Sequence, residues 1–129
     1  MTASYLPLSF TGSSITGAGH GKELGTPTVN IDLHAVPPVL EQGVYASFVT
    51  IDGKKWVGAL HYGPRHSYDG SVACEVHLLD TILEKRPDVV DIRVVQRIRD
   101  VQAFSSLEEL KAQIAEDIRS IRSILASPF

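Results

Sequence analysis

The chain has 129 residues, 43% of them hydrophobic, and carries a net charge of −3 with histidine neutral. That length suits one domain, residues 1–129, able to bury roughly two-thirds of its unfolded surface in a single core. The acidic balance excludes a broad basic surface for nucleic acid or anionic membrane, no apolar run approaches the ~20 residues of a transmembrane helix, and the lone Cys74 leaves no intrachain disulfide.

The first marked feature is the run Gly17-Ala18-Gly19-His20-Gly21-Lys22-Glu23-Leu24-Gly25-Thr26-Pro27-Thr28-Val29-Asn30, with four glycines in nine residues ahead of Pro-Thr-x-Asn. Glycines in that density cost conformational entropy unless the backbone must take positive φ or approach a ligand. Successive N–H groups in such a loop form a nest for anionic oxygens, and Lys22 adds a point charge suited to phosphate. The run is not a Walker A loop, because Gly17 lies one residue too close to Gly21-Lys22 and Glu23 replaces the metal-binding hydroxyl. Nor is it a Rossmann fingerprint, since its glycines read G-x-G-x-G and strand-like Val29–Leu33 follows. Thr28 and Asn30, two apart in an extended segment, share a face. Neutral side-chain oxygens with nucleotide phosphates can hold Mg2+.

Strand-like segments come next. Gly43–Ile51 and Lys54–Tyr62 flank Asp52-Gly53, a two-residue hairpin signal that accepts positive φ, and should pair antiparallel. After the turn signal Asp69-Gly70, Val72, Cys74, Val76 and Leu78 alternate with Ala73, Glu75, His77 and Leu79, so Glu75 faces away from the apolar row. Ile92–Ile98 is a further strand, behind the polar, Pro87-containing segment 84–91. Trp56 and Tyr62 read as core aromatics. The five histidines show no zinc spacing and read as surface residues.

Leu107, Leu110, Ile114, Ile118, Ile121 and Leu125 recur at three and four, one apolar face of a C-terminal helix that should pack on the sheet. Ser106 with Glu109, or Ser105 with Glu108, offers a capping box, and Arg119 and Arg122 suit the far end of the helix dipole. Antiparallel strands followed by one helix indicate a small barrel or curled sheet.

At these residues the sequence resembles the riboflavin kinases (flavokinases), including the kinase half of bacterial bifunctional FAD synthetases. Residues 17–30 fit the family pattern G-x-G-x-G-[RK]-x-L-G-x-P-T-x-N. The likeness continues through Gly43-Val44-Tyr45-Ala46, Cys74-Glu75-Val76-His77-Leu78-Leu79-Asp80, Ile98-Arg99 and Phe104 to Asp117, so that it spans roughly residues 10–120. It implies a six-stranded antiparallel Greek-key barrel with a C-terminal helix, and ATP-dependent phosphorylation of riboflavin at the ribityl 5′-hydroxyl to give FMN and ADP. It further implies Glu75 as general base, Gly17, Gly19, His20, Gly21 and Lys22 as phosphate cradle, Thr28 and Asn30 as Mg2+ and nucleotide contacts, and Arg99 as a flavin or phosphate contact or the partner of a helix acid.

Departures from the family fall on the acceptor side. Ala59–His66 replaces the usual N-x-G-x-x-P-T, Thr81–Pro87 replaces L-Y-G-[KR], and His20 and Val101 stand where arginine and an acid are common. The competing reading is a catalytically silent flavin- or nucleotide-binding barrel, a sensor or interaction module; a nucleic-acid-binding barrel ranks last. The expectation is a cytoplasmic monomer that engages riboflavin or FMN and ATP or ADP, but neither nucleic acid nor membrane, and does not make FAD.

Overall fold

The computed structural model describes residues 5–15, 27–64, 71–83 and 85–126. Six strands close into an antiparallel barrel in the order β1-β2-β5-β4-β3-β6: β1 Leu8–Ile15, β2 Thr28–Ile31, β3 Gly43–Ile51, β4 Lys54–Pro64, β5 Val72–Leu78 and β6 Val89–Arg99. One helix, α1 Leu107–Leu125, follows. After the meander β3-β4-β5, β6 returns to lie beside β3, which makes the connection a Greek key. Closure gives every strand a neighbour on both sides, with β1 meeting β2 through Ser14 and Ile15.

The hairpin forms where the sequence places it. Asp52 at φ 50 and Gly53 at φ 79 make a tight turn with both central residues at positive φ, the twist that suits antiparallel strands. From it β3 and β4 pair in unbroken register, Ile51 opposite Lys54 through Gly43 opposite Tyr62. Alternation then sends one set of side chains inward. Val29, Val76, Leu60 and Tyr45 lie opposite one another on successive strands, and all are buried in the barrel core with Ile31, Cys74, Leu78, Val49, Val90, Ile92 and Val94. Trp56 and Tyr62 pack against this core as expected. The barrel is narrow enough that a Cβ on Gly58 would come within 2.8 Å of Val76 Cγ2, a close approach that only glycine allows.

β1 is the strand that residue-level reading does not find. Its inward positions run from Leu8 and Phe10 to the small Gly12 and Ser14, so the apolar half of the alternation fades along the strand. Small side chains are required there, because a Cβ on Gly12 would sit 2.7 Å from Ile31 Cγ2 and 3.0 Å from Ala35 Cβ. β2 is shorter than the sequence suggests, ending at Ile31 rather than Leu33. Asp32 accepts a hydrogen bond from His34 N at 3.0 Å and turns the chain into a 3₁₀ turn, Leu33–Ala35. β6 is longer, starting at Val89 rather than Ile92 and reaching Arg99 through two register shifts against β3. The Asp69-Gly70 turn lies outside the described residues.

The helix uses both candidate serines at its start. Ser106 is the N-cap, its Oγ accepting from Glu109 N at 3.1 Å, while Glu109 Oε2 reaches back to Ser105 N at 3.2 Å and Ser105 Oγ at 2.7 Å. Its buried face is Leu110, Ile114, Asp117 and Ile121. It lies on the outside of the barrel, where Ile121 clusters with Ala46, Ala59 and Leu79. Two alanines at the contact let the helix come close. Leu107, expected in the stripe, is 45% exposed. At the far end Arg122 forms a bidentate pair with Asp80, both distances 2.7 Å.

Candidate active site

The inward face of the barrel is occupied by apolar side chains, so chemistry belongs to the outward face. On that face two parallel rows cross the strands. In the first, Asn30 on β2 lies opposite Glu75 on β5, Glu75 opposite His61 on β4, His61 opposite Val44 on β3, and Val44 opposite Arg99 on β6. In the second, Thr28 lies opposite His77 and His77 opposite Ala59. Directly opposed residues carry their Cβ atoms about 5 Å apart. Thr28, Asn30 and Glu75 are therefore gathered on one patch by two strands, and the prediction that Glu75 faces away from Cys74, Val76 and Leu78 holds.

A polar contact fixes geometry in the patch. Thr28 Oγ1 is 3.0 Å from His77 Nδ1. The patch also has an acceptor left over, since Asn30 Oδ1 is buried without a hydrogen-bond partner among the described residues. A buried amide oxygen without a donor is costly, and a hard cation coordinated by oxygen would satisfy it. With the Thr28 hydroxyl two residues away on the same face, the donor set fits a Mg2+ ion that keeps most of its waters or phosphate ligands. Among the described residues no group of three or more histidine, cysteine and carboxylate side chains could hold a metal, so this set is of neutral oxygens rather than of the zinc type.

Gly17, Gly19, His20, Gly21 and Lys22 lie outside the described residues. Arg99 stands three strands from Glu75 in the same row, roughly 14 Å along the sheet at ~4.8 Å per strand. Its guanidinium is held by Asp117 of α1, with Nε to Oδ1 and Nη2 to Oδ2 both 2.8 Å, and by Asp100 O at 3.0 Å. Of the two roles considered for it, pairing with a helix acid is the one the geometry displays. Gln113 Nε2 adds a further bond to Asp117 Oδ1 at 3.0 Å.

Two histidines correct the sequence reading. His61 and His77, expected at the surface, are 3% and 6% exposed. They project from β4 and β5 on the outward face, where α1 covers them, and they line a small cavity with Val44, Ala59, Arg99, Ile114 and Asp117. The sequence does place His77 on the same face as Glu75, two residues before it, but it carries no sign that this position is buried. His34 remains exposed beside Asp32. Cys74, the inward neighbour of Glu75, is buried, and desolvation first, with the Glu75 charge second, pushes its thiol up to about 12.

The sequence model of the family described as Flavokinase, riboflavin kinase, matches residues 4–125. The chain belongs to the riboflavin kinase family. It is 37% identical over 125 residues to the bifunctional riboflavin kinase/FMN adenylyltransferase of Pseudomonas fluorescens, an alignment covering 93% of this chain and 39% of that protein. The chain thus spans about two-fifths of the length of that relative. Among solved structures, the riboflavin kinase of Trypanosoma brucei superposes with a TM-score of 0.67 at 25% identity, covering 98% of this chain and 84% of that one. A Streptococcus pneumoniae protein whose structure is described as a macrolide-efflux protein superposes with a TM-score of 0.78 at 28% identity, covering 90% of this chain and 38% of that one. In this riboflavin kinase family member no helix among the described residues is long and apolar enough to cross a membrane.

Proposed function

We propose that this chain transfers the γ-phosphoryl group of ATP to the ribityl 5′-hydroxyl of riboflavin, giving FMN and ADP. The observation that carries the reading is the pairing of Asn30 with Glu75 across β2 and β5, which sets an acceptor suited to a cation beside a carboxylate able to take a proton. Family membership supplies the substrate pair.

Phosphoryl transfer asks little covalent chemistry of a protein and much positioning. Glu75 is the general base: it accepts the proton of the 5′-hydroxyl as that oxygen bonds to the γ-phosphorus and the bond to the ADP oxygen breaks. Its half-buried place on a strand, with the barrel core directly behind it, fixes its backbone. Thr28 and Asn30 would hold Mg2+, which when bound neutralises charge developing on the phosphates. Gly17, Gly19, His20, Gly21 and Lys22 complete the reading as the phosphate cradle, through backbone N–H groups and the Lys22 ammonium. Arg99 acts as the clamp between β6 and α1, since a flavin contact would have to compete with two charge-assisted bonds to Asp117. ATP as phosphoryl donor suits a cytoplasmic enzyme.

The test is chromatographic separation of FMN from riboflavin after incubation of the purified protein with ATP and Mg2+. FMN should accumulate with wild type and fall sharply with Asn30→Ala. Saturable flavin binding with no FMN would contradict the enzyme reading and favour a silent flavin-binding barrel.

A further inference from the structure

We propose that His77 is a positioning residue for the cation site, acting by setting the direction of the Thr28 hydroxyl proton. The proposal rests on the reading of Thr28 and Asn30 as Mg2+ contacts and assigns the residue that makes Thr28 competent for that role.

A hydroxyl has one proton and two acceptor lone pairs, and its rotor settles wherever the best partner lies. If the Thr28 proton points toward a cation, the hydroxyl repels it; if the proton points elsewhere, a lone pair faces the cation. His77 Nδ1 is 3.0 Å from Thr28 Oγ1 across the β2–β5 ladder, on the same face as Asn30 and Glu75. With the imidazole proton on Nε2, Nδ1 accepts the Thr28 proton and leaves the oxygen's lone pairs free for a cation shared with Asn30 Oδ1, which has no donor among the described residues. The opposite tautomer would donate into Thr28 Oγ1, use up a lone pair and leave the hydroxyl proton free to face the cation.

The surroundings hold the ring in place. His77 is 6% exposed, sits on β5 between Thr28 of β2 and Ala59 of β4 at the end of the β2–β5 ladder, and lines the cavity under α1 beside Ile114. Neither Thr28 nor a surface histidine would keep one rotamer without that packing. Side chains that orient a ligand in this way govern metal affinity nearly as strongly as the ligands themselves, commonly by 10–100-fold.

The measurement is calorimetric binding of a non-hydrolysable ATP analogue as Mg2+ is titrated, in wild type, His77→Ala, His77→Asn, Thr28→Ala and the double variant, each with its thermal melt. His77→Ala should raise the half-saturating Mg2+ concentration roughly tenfold with metal-free nucleotide binding unchanged. His77→Asn, whose amide oxygen falls near the position of Nδ1, should restore most of the loss. The double variant should be no worse than Thr28→Ala, because the two residues act as one unit. Unchanged Mg2+ dependence in a folded His77→Ala protein would overturn the proposal while leaving the kinase reading standing, as would additive losses in the double variant or no recovery with a folded His77→Asn. A wild-type chain showing no Mg2+-dependent nucleotide binding would overturn the cation site itself and the proposal with it.

Discussion

The two faces of β5 put alternate residues of one strand to opposite uses. Inward, Cys74, Val76 and Leu78 pack into the barrel core; outward, Glu75 and His77 lie opposite Asn30 and Thr28, with Thr28 Oγ1 3.0 Å from His77 Nδ1. A strand's period of two makes this division sharp, since no residue of β5 can serve both faces. The lesson is that the core holds the site's backbone still while contributing nothing to its chemistry.

The largest loss is expected where a charge lies buried on the outward side. Asp117→Ala removes the partner of Arg99, whose side chain is only 14% exposed, and should cost about 4 kcal/mol in urea unfolding, the scale of an uncompensated buried charge. Next, Leu60→Ala on the inward side opens a cavity between Val76 and Tyr45 and should cost about 3 kcal/mol, whereas Leu60→Met should cost under about 1.5 kcal/mol. Volume, not identity, matters there. Ser106→Ala removes the acceptor for Glu109 N and should cost about 1 kcal/mol, fraying α1 over the outward face.

Alkaline pH probes two inward groups, Cys74 and Tyr45. Burial raises Cys74 from 9.0 and Tyr45 from 10.0, each to about 12. In the window between, the unfolded chain has released these protons and the folded chain retains them, so the unfolded state binds fewer protons and stability falls as pH rises. Urea midpoints should hold from neutrality to about pH 9 and then decline. A rise above that value would show that neither group is buried as described.

Sequence pattern carried much of this arrangement. Asp52-Gly53 dictated the β3–β4 hairpin because the turn demands two residues tolerant of positive φ, and the alternation around Glu75 assigned its face. β1 was hidden because its inward positions shrink to Gly12, where Ala35 of the 3₁₀ turn packs close, and Ser14, which removes the hydrophobic period that marks a strand. The burial of His61 and His77 was hidden for a different reason. An outward residue of a barrel reads as exposed until something covers it, and which strands α1 covers is a tertiary fact set by Ala46, Ala59 and the Arg99–Asp117 clamp. Asp117 is buried on the helix between Ile114 and Ile121, beside a stripe that the sequence shows as unbroken through Ile118, so its ion pair left no break in the apolar pattern.

In the proposed function the outward carboxylate on β5 does chemistry and not structure. The direct measurement compares riboflavin phosphorylation and urea unfolding of wild type and Glu75→Gln side by side. The account predicts turnover reduced by about 10²-fold or more, with stability within about 0.5 kcal/mol and nucleotide still bound. A Glu75→Gln protein that makes FMN at the wild-type rate would contradict it.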